Sequence, residues 1–186
     1  MGNQKVLLSI ILILIISNII VAYRGFELNK ELEQSNQVID STVWNEFNNL
    51  LASLHKVSEE LAQYDASMNE EEMDLYLSSL EKEESRLNEL GMNLSYIFNS
   101  RNQDKHTIYE EHIWIIEDFI SKVSEGEVTD ETKIQHIAKI IDEQQNQFSD
   151  LFYSDNSINA PEANEDENIR KIVKILDVIV GEINKS

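Results

Sequence analysis

The feature that most limits what this chain can fold into is the run Val6–Tyr23, VLLSIILILIISNIIVAY, which holds no charged residue and only Ser9, Ser17 and Asn18 as polar breaks. At a rise of about 1.5 Å per residue, the run is about 27 Å long, close to the hydrocarbon thickness of a bilayer. The sequence therefore predicts an N-terminal single transmembrane helix. A cleaved signal peptide is the rival reading, since it shares the short basic start (Lys5) and the apolar core. Signal peptidase needs small residues at −1 and −3, but a cut after Ala22 puts Ile20 at −3 and a cut after Gly25 puts Tyr23 there. Lipid anchors are disfavoured too. There is no cysteine to acylate, and Val6 stands where a myristoylation site wants Ser or Thr.

The charges flanking the run are nearly balanced, with Lys5 before it and Arg24 and Lys30 after it. The usual arrangement keeps a short basic end in the cytoplasm and places residues 24–186 outside. Small-x-x-x-small spacing is absent from residues 6–23, so close packing of two anchors has no support and oligomeric state is left open.

The remainder of the chain is strongly acidic. All 35 acidic residues, but not Lys5, lie beyond the run in a chain of net charge −20. Nucleic acid and anionic lipid headgroups would be repelled, so the expected partners are the bilayer through residues 6–23 and a protein, not a nucleic acid. Without cysteine there is no disulfide, and packing alone must hold the domain; this favours a bacterial over a eukaryotic surface.

The apolar period is helical throughout, and glycine and proline are scarce. The organisation read from it is a cytoplasmic tail at 1–5, the anchor at 6–23, a helical stalk at 24–40 and an acidic bundle at 41–186. In the stalk Leu28, Leu32 and Ile39 recur at near-heptad spacing. Helix one continues as an apolar stripe through Trp44, Phe47, Leu51, Leu54, Val57, Leu61 and Tyr64. Ser67 and Glu70 have the spacing of a capping box and start helix two. Its seam is Met73, Leu77, Leu80, Leu87, Leu94 and Phe98, with Glu84 and Gly91 where apolar residues belong. Glu84 must reach the rim or a partner, and Gly91 reads as a close helix approach or a bend. Residues 99–104 separate helix two from helix three. Gly126 closes helix three, and Thr129 or Asp130 caps helix four, whose stripe is Ile134, Ile137, Ile141, Phe148, Leu151 and Phe152. The segment 153–167, with Pro161, is the longest loop. A last helix carries Ile169, Ile172, Val173, Leu176, Ile179, Val180 and Ile183, and Arg170, Lys171, Lys174 and Asp177 bar it from a membrane. The fold class is all-α, an antiparallel bundle of four or five helices continuing from the anchor.

Catalytic and metal signatures fail by spacing. No histidine has an acidic residue three positions before it, as a di-iron bundle requires, and no two histidines lie four apart. His106 with Glu110 makes two ligands, which is not a site. Asp155, Ser157, Asn159 and Asp166 fit positions of a calcium loop, but Ala160 replaces the turn glycine and Asp166 is short for the bidentate position. His112 reads as a satisfied core histidine. No cofactor, metal or catalytic residue is expected, and the chain reads as no enzyme.

Helix three is unusual because His112, Ile113, Trp114, Ile115, Ile116, Phe119, Ile120 and Val123 place apolar groups almost all round it. It is either central core or a docking face whose candidate partner-binding residues are Trp114, Ile113, Ile116 and Ile120. The functional expectation is a membrane-tethered interaction or accessory module outside the cytoplasm. The alternative is a ligand- or cation-sensing bundle that signals through a partner membrane protein, because about five residues beyond the anchor cannot carry a signal inward.

Overall fold

The computed structural model describes the backbone of residues 2–99, 103–153 and 166–185, and the side chains of residues 17–97, 111–153 and 167–185. The chain is all-helical among these residues: α1 Gly2–Ala62, α2 Glu70–Asn99, α3 Gln103–Ser124, α4 Glu131–Tyr153 and α5 Asp166–Asn184. It divides into two compact units, Met1–Ile39 and Asp40–Ser186. Residues 154–165, with most of the calcium-like frame and Pro161, lie outside the described residues, as do the side chains of Phe98, His106, Glu110 and Asp166.

In the first unit every described side chain from Ser17 to Val38 is exposed, including Ile19, Ile20, Val21, Tyr23, Phe26, Leu28 and Leu32. Among the described residues no helix is long and apolar enough to cross a membrane. The span expected at Val6–Tyr23 is thus not shown, and the side chains of residues 6–16 lie outside those described.

The second unit is a helical bundle whose ends are fixed by local chemistry. The capping box that opens α2 is Asn69 with Glu72, two residues beyond the Ser67–Glu70 pair expected. Asn69 Oδ1 accepts from the Glu72 amide at 3.1 Å, and Glu72 Oε2 accepts from the Asn69 amide at 3.0 Å. Ser67 instead donates its amide and its hydroxyl to Asp65 Oδ1, holding the preceding turn. Asn outcompetes Ser here because its carbonyl reaches the third amide while the Asp65 turn occupies Ser67. At the end of α3, Gly126 has φ +74° and the amides of Gly126 and Glu127 bond back to Val123 O and Lys122 O, a Schellman closure that satisfies two orphan carbonyls. Asp130 then caps α4 by accepting from the Lys133 amide at 3.2 Å.

Packing closes the bundle into a ring. From Asp40 on, α1 runs antiparallel to α4: Tyr153 Oη donates to Asn48 at 2.7 Å near one end, and Gln135 Nε2 donates to Tyr64 O at 3.1 Å near the other. Between them Trp44, Phe47, Phe148 and Phe152 stack at centroid distances of 4.7 to 6.5 Å. The next neighbour of α1 is α2: Glu46 and Asn49 line a shared groove with Arg86, Glu89 and Leu90, and in the turn after α1 the Tyr64 ring lies 5.6 Å from that of Tyr76. From α2 the contacts pass to α3, from α3 to α5 and from α5 back to α4. The spatial order is therefore α1–α2–α3–α5–α4. Large aromatic side chains hold α1 and α4 apart, whereas Gly91 lets α2 and α3 close. A Cβ built on Gly91 would stand 3.3 Å from Ile113 Cγ2, so of the two readings of this glycine the close approach is the one seen.

The buried stripe of α2 is Tyr76, Leu80, Leu87, Leu90 and Leu94. It shares three members with the expected seam but is rotated toward Tyr76 and Leu90, leaving Met73 and Leu77 only half-buried. Glu84, half-buried, finds a partner in the Ser124 hydroxyl at 3.4 Å.

Candidate functional site

The apolar girdle of α3 is explained by its two neighbours. One flank meets α2 at the Gly91–Ile113 approach. Another meets α5, where His112 Nε2 and Asp177 Oδ1 are 2.7 Å apart. A helix that packs on two sides needs apolar residues on both. Ile113, Ile116 and Ile120 are accordingly buried, together with Phe119 and Val123.

Those three isoleucines cannot present a docking face while the bundle is folded, because each is spent on the core. Trp114 stands apart from them. It is 46% exposed, and its Nε1 lies 3.9 Å from where a Cβ on Gly91 would be, so the ring leans over the α2–α3 crossing with its outer part in water. Of the four candidate residues, only Trp114 is accessible to a partner.

The polar groups described nearby form pairs. His112 is bonded to Asp177, in keeping with a satisfied histidine. His136 Nε2 lies 3.6 Å from Glu182 Oε2, joining α4 to α5, and His55 pairs within α1 with Glu59. Asn88 donates to Glu117 Oε1 at 2.9 Å across the α2–α3 seam. Burial pushes the Glu117 carboxyl above the usual carboxylate range, with the Glu84 and Asp118 charges adding to it and the Asn88 hydrogen bond opposing it. No group of three His, Asp or Glu residues among those described is placed to hold a metal ion.

Sequence reasoning missed Tyr76. Its ring belongs to the core, yet its hydroxyl is buried without a hydrogen-bond partner. The signal available was its place one residue from Leu77, on the face a 3.6-residue period selects and a strict heptad does not.

No family model, curated protein or solved structure matches this chain.

Proposed function

We propose that the chain is a membrane-tethered, non-catalytic bundle that acts as a protein-interaction or accessory module at the extracytoplasmic surface. One observation carries the tether: the uncharged run Val6–Tyr23 lies within the unbroken helix Gly2–Ala62, and Ile19, Ile20, Val21 and Tyr23 are exposed at successive angles around it. An apolar surface on all sides of a helix needs protein or lipid to cover it, and no described residue covers these four. The short basic start favours residues 24–186 outside. Confinement to a surface raises the effective concentration of the bundle for a partner, and its acidic exterior favours a basic one. Trp114 is the candidate aromatic anchor for that contact.

Two measurements test this. The protein stays with membranes through a high-salt wash, and protease added to intact cells digests residues 24–186. Protection in intact cells, with digestion only after lysis, would reverse the orientation, and release of a mature form beginning near Tyr23 would make the run a signal peptide. The bundle, used as bait, retains a protein whose capture weakens as salt rises. Capture by the full-length chain alone would move binding to the anchor. A second reading, an extracytoplasmic cation- or ligand-sensing bundle, draws on the cleft of about 660 Å³ beside the connection between α1 and α2.

A further inference from the structure

The outer face of α3 carries Trp114 between two acids about one turn to either side, Glu111 before it and Glu117 after it. The indole is 46% exposed. Glu111 is exposed and has no partner among the described residues. Glu117 is held by one oxygen only: Oε1 accepts from Asn88 at 2.9 Å, and Oε2 has no partner among the described residues. Asp118, the next acid, is already met by Lys122. The edge of α2 beside this face extends its apolar part. Asn88 reaches Glu117 and Gly91 lies beneath Trp114, so Met92 and Tyr96, one and two turns beyond Asn88, stand on the same edge. They are 60% and 79% exposed. Trp114, Met92 and Tyr96 thus form an apolar strip in water, bordered by carboxylates.

Charge decides what can cover the strip. A second copy of this chain, a nucleic acid or an anionic lipid surface would each bring negative charge against these acids, in a chain of net charge −20. A basic protein segment brings the complementary charge. Glu117 adds a local sign of the same kind: after burial, the charges of Glu84 and Asp118 hold its carboxyl above the usual range, and a cation at Oε2 would offset them. The exposed indole selects among cations. An ammonium is compact and strongly hydrated, whereas a guanidinium is planar and weakly hydrated, so it lies flat on an indole and still turns N–H donors toward a carboxylate at the ring edge.

We infer that this α2–α3 face docks a basic segment of a partner protein through an arginine, its guanidinium stacked on Trp114 and donating to Glu117 Oε2. A second basic residue of the segment meets Glu111, and its apolar side chains cover Met92 and Tyr96. The buried isoleucines of α3 keep their places, so docking asks for no rearrangement of the core. The inference rests on the bundle being an interaction module, names the chemistry of its partner and is independent of the anchor.

The test is a titration of the full-length protein in neutral detergent micelles with triarginine amide, read from the indole N–H NMR signals of Trp114 and Trp44. A saturable shift of the Trp114 signal is expected, with no shift of Trp44, which packs against Phe152. Trilysine amide, of equal charge, should bind at least about threefold more weakly. Glu117→Gln and Trp114→Ala should each weaken triarginine binding about fivefold, in line with loss of a charge-assisted hydrogen bond and of a stacked cation. Asp150→Asn, an equal change of charge on α4, should leave affinity unchanged. Equal affinities for the two peptides, or equal losses in Glu117→Gln and Asp150→Asn, would reduce the effect to general acidity and overturn the site. Should Trp114→Ala fail to fold by circular dichroism, Glu117→Gln and the lysine comparison decide. A shift of the Trp114 signal with protein concentration alone would make the occupant a second copy and overturn the inference as well. Undiminished capture of a protein by Trp114→Ala and Glu117→Gln would remove this inference and leave the interaction module standing, whereas capture of no protein by the wild type would remove both.

Discussion

Replacing Trp114 with alanine separates a core role from a docking role, because the residue is half in each. Slightly more than half of the side chain is covered. A covered tryptophan buries about 150–250 Å², so roughly 100 Å² is at stake here. At about 25 cal/mol per Å² this amounts to about 2.5 kcal/mol, and the alanine methyl keeps a little of it, leaving a cost of about 2 kcal/mol. The site opens to water, so no sealed cavity adds to the loss. Ile116→Ala, two residues on and fully buried, should cost about 4 kcal/mol because its cavity is enclosed. Urea unfolding of residues 40–186, followed by circular dichroism, measures both. With a slope near 2 kcal/mol per M, Trp114→Ala should move the midpoint by about 1 M and Ile116→Ala by about twice that. Equal shifts would refute the partition and return Trp114 to the core. No measurable shift would mean that the ring does not rest on α2 at all. If the partition holds, Trp114→Ala is a folded probe for partner capture, which substitutions at Ile113, Ile116 and Ile120 are not.

Other expected outcomes rest on single contacts. Gly91→Ala gains about 0.5–1 kcal/mol of helix preference but must displace Ile113, which costs about 1–3 kcal/mol, so a net loss of about 1 kcal/mol is expected. Gly181→Ala, with nothing within 4 Å, should gain about 0.5 kcal/mol, and an equal gain at both positions would show that α2 and α3 do not approach closely. Ser53→Ala should stabilise by about 1 kcal/mol, because the Ser53 hydroxyl is buried without a partner; a loss on denaturant unfolding would reveal a bond there. The Glu117 carboxyl has a native pKa raised from 4.5, so its contribution to stability is fully present below that value and is lost as pH rises through the native pKa. Glu117→Gln should therefore flatten the gain in unfolding midpoint as pH falls from 7 toward 4.5, and identical slopes would dismiss the role of burial.

The all-helical architecture was legible because period, cap chemistry and the scarcity of glycine and proline all pointed one way. Gly126, Asp130, the end of α2 and the start of α3 were readable from local signals that act within one turn. The start of α2 was misplaced because two overlapping boxes exist in the sequence, and only the competing Asp65 turn decides between them. The rotation of the α2 stripe to Tyr76 and Leu90 depends on which helix stands opposite, and that is not a local property. Helix α3 shows the same boundary more sharply: its apolar girdle was plain, but whether one flank meets another helix or a partner depends on where α5 inserts. A buried hydroxyl without a partner leaves no trace in sequence, since tyrosine at a core position ordinarily finds one.

The ring order has a consequence for synthesis. Trp44 and Phe47 on α1 are covered by Phe148 and Phe152, so the N-terminal helix cannot bury that face until some ninety residues after Ala62 have left the ribosome. At about 5–20 residues per second, this delay lasts on the order of 5 to 20 seconds. During it the aromatic stripe of α1 faces water, with only α2 available as a native neighbour. For a chain with no disulfide to capture early contacts, that interval is when holding factors or aggregation would compete for it, and slowing translation between residues 63 and 153 would lengthen the exposure in proportion.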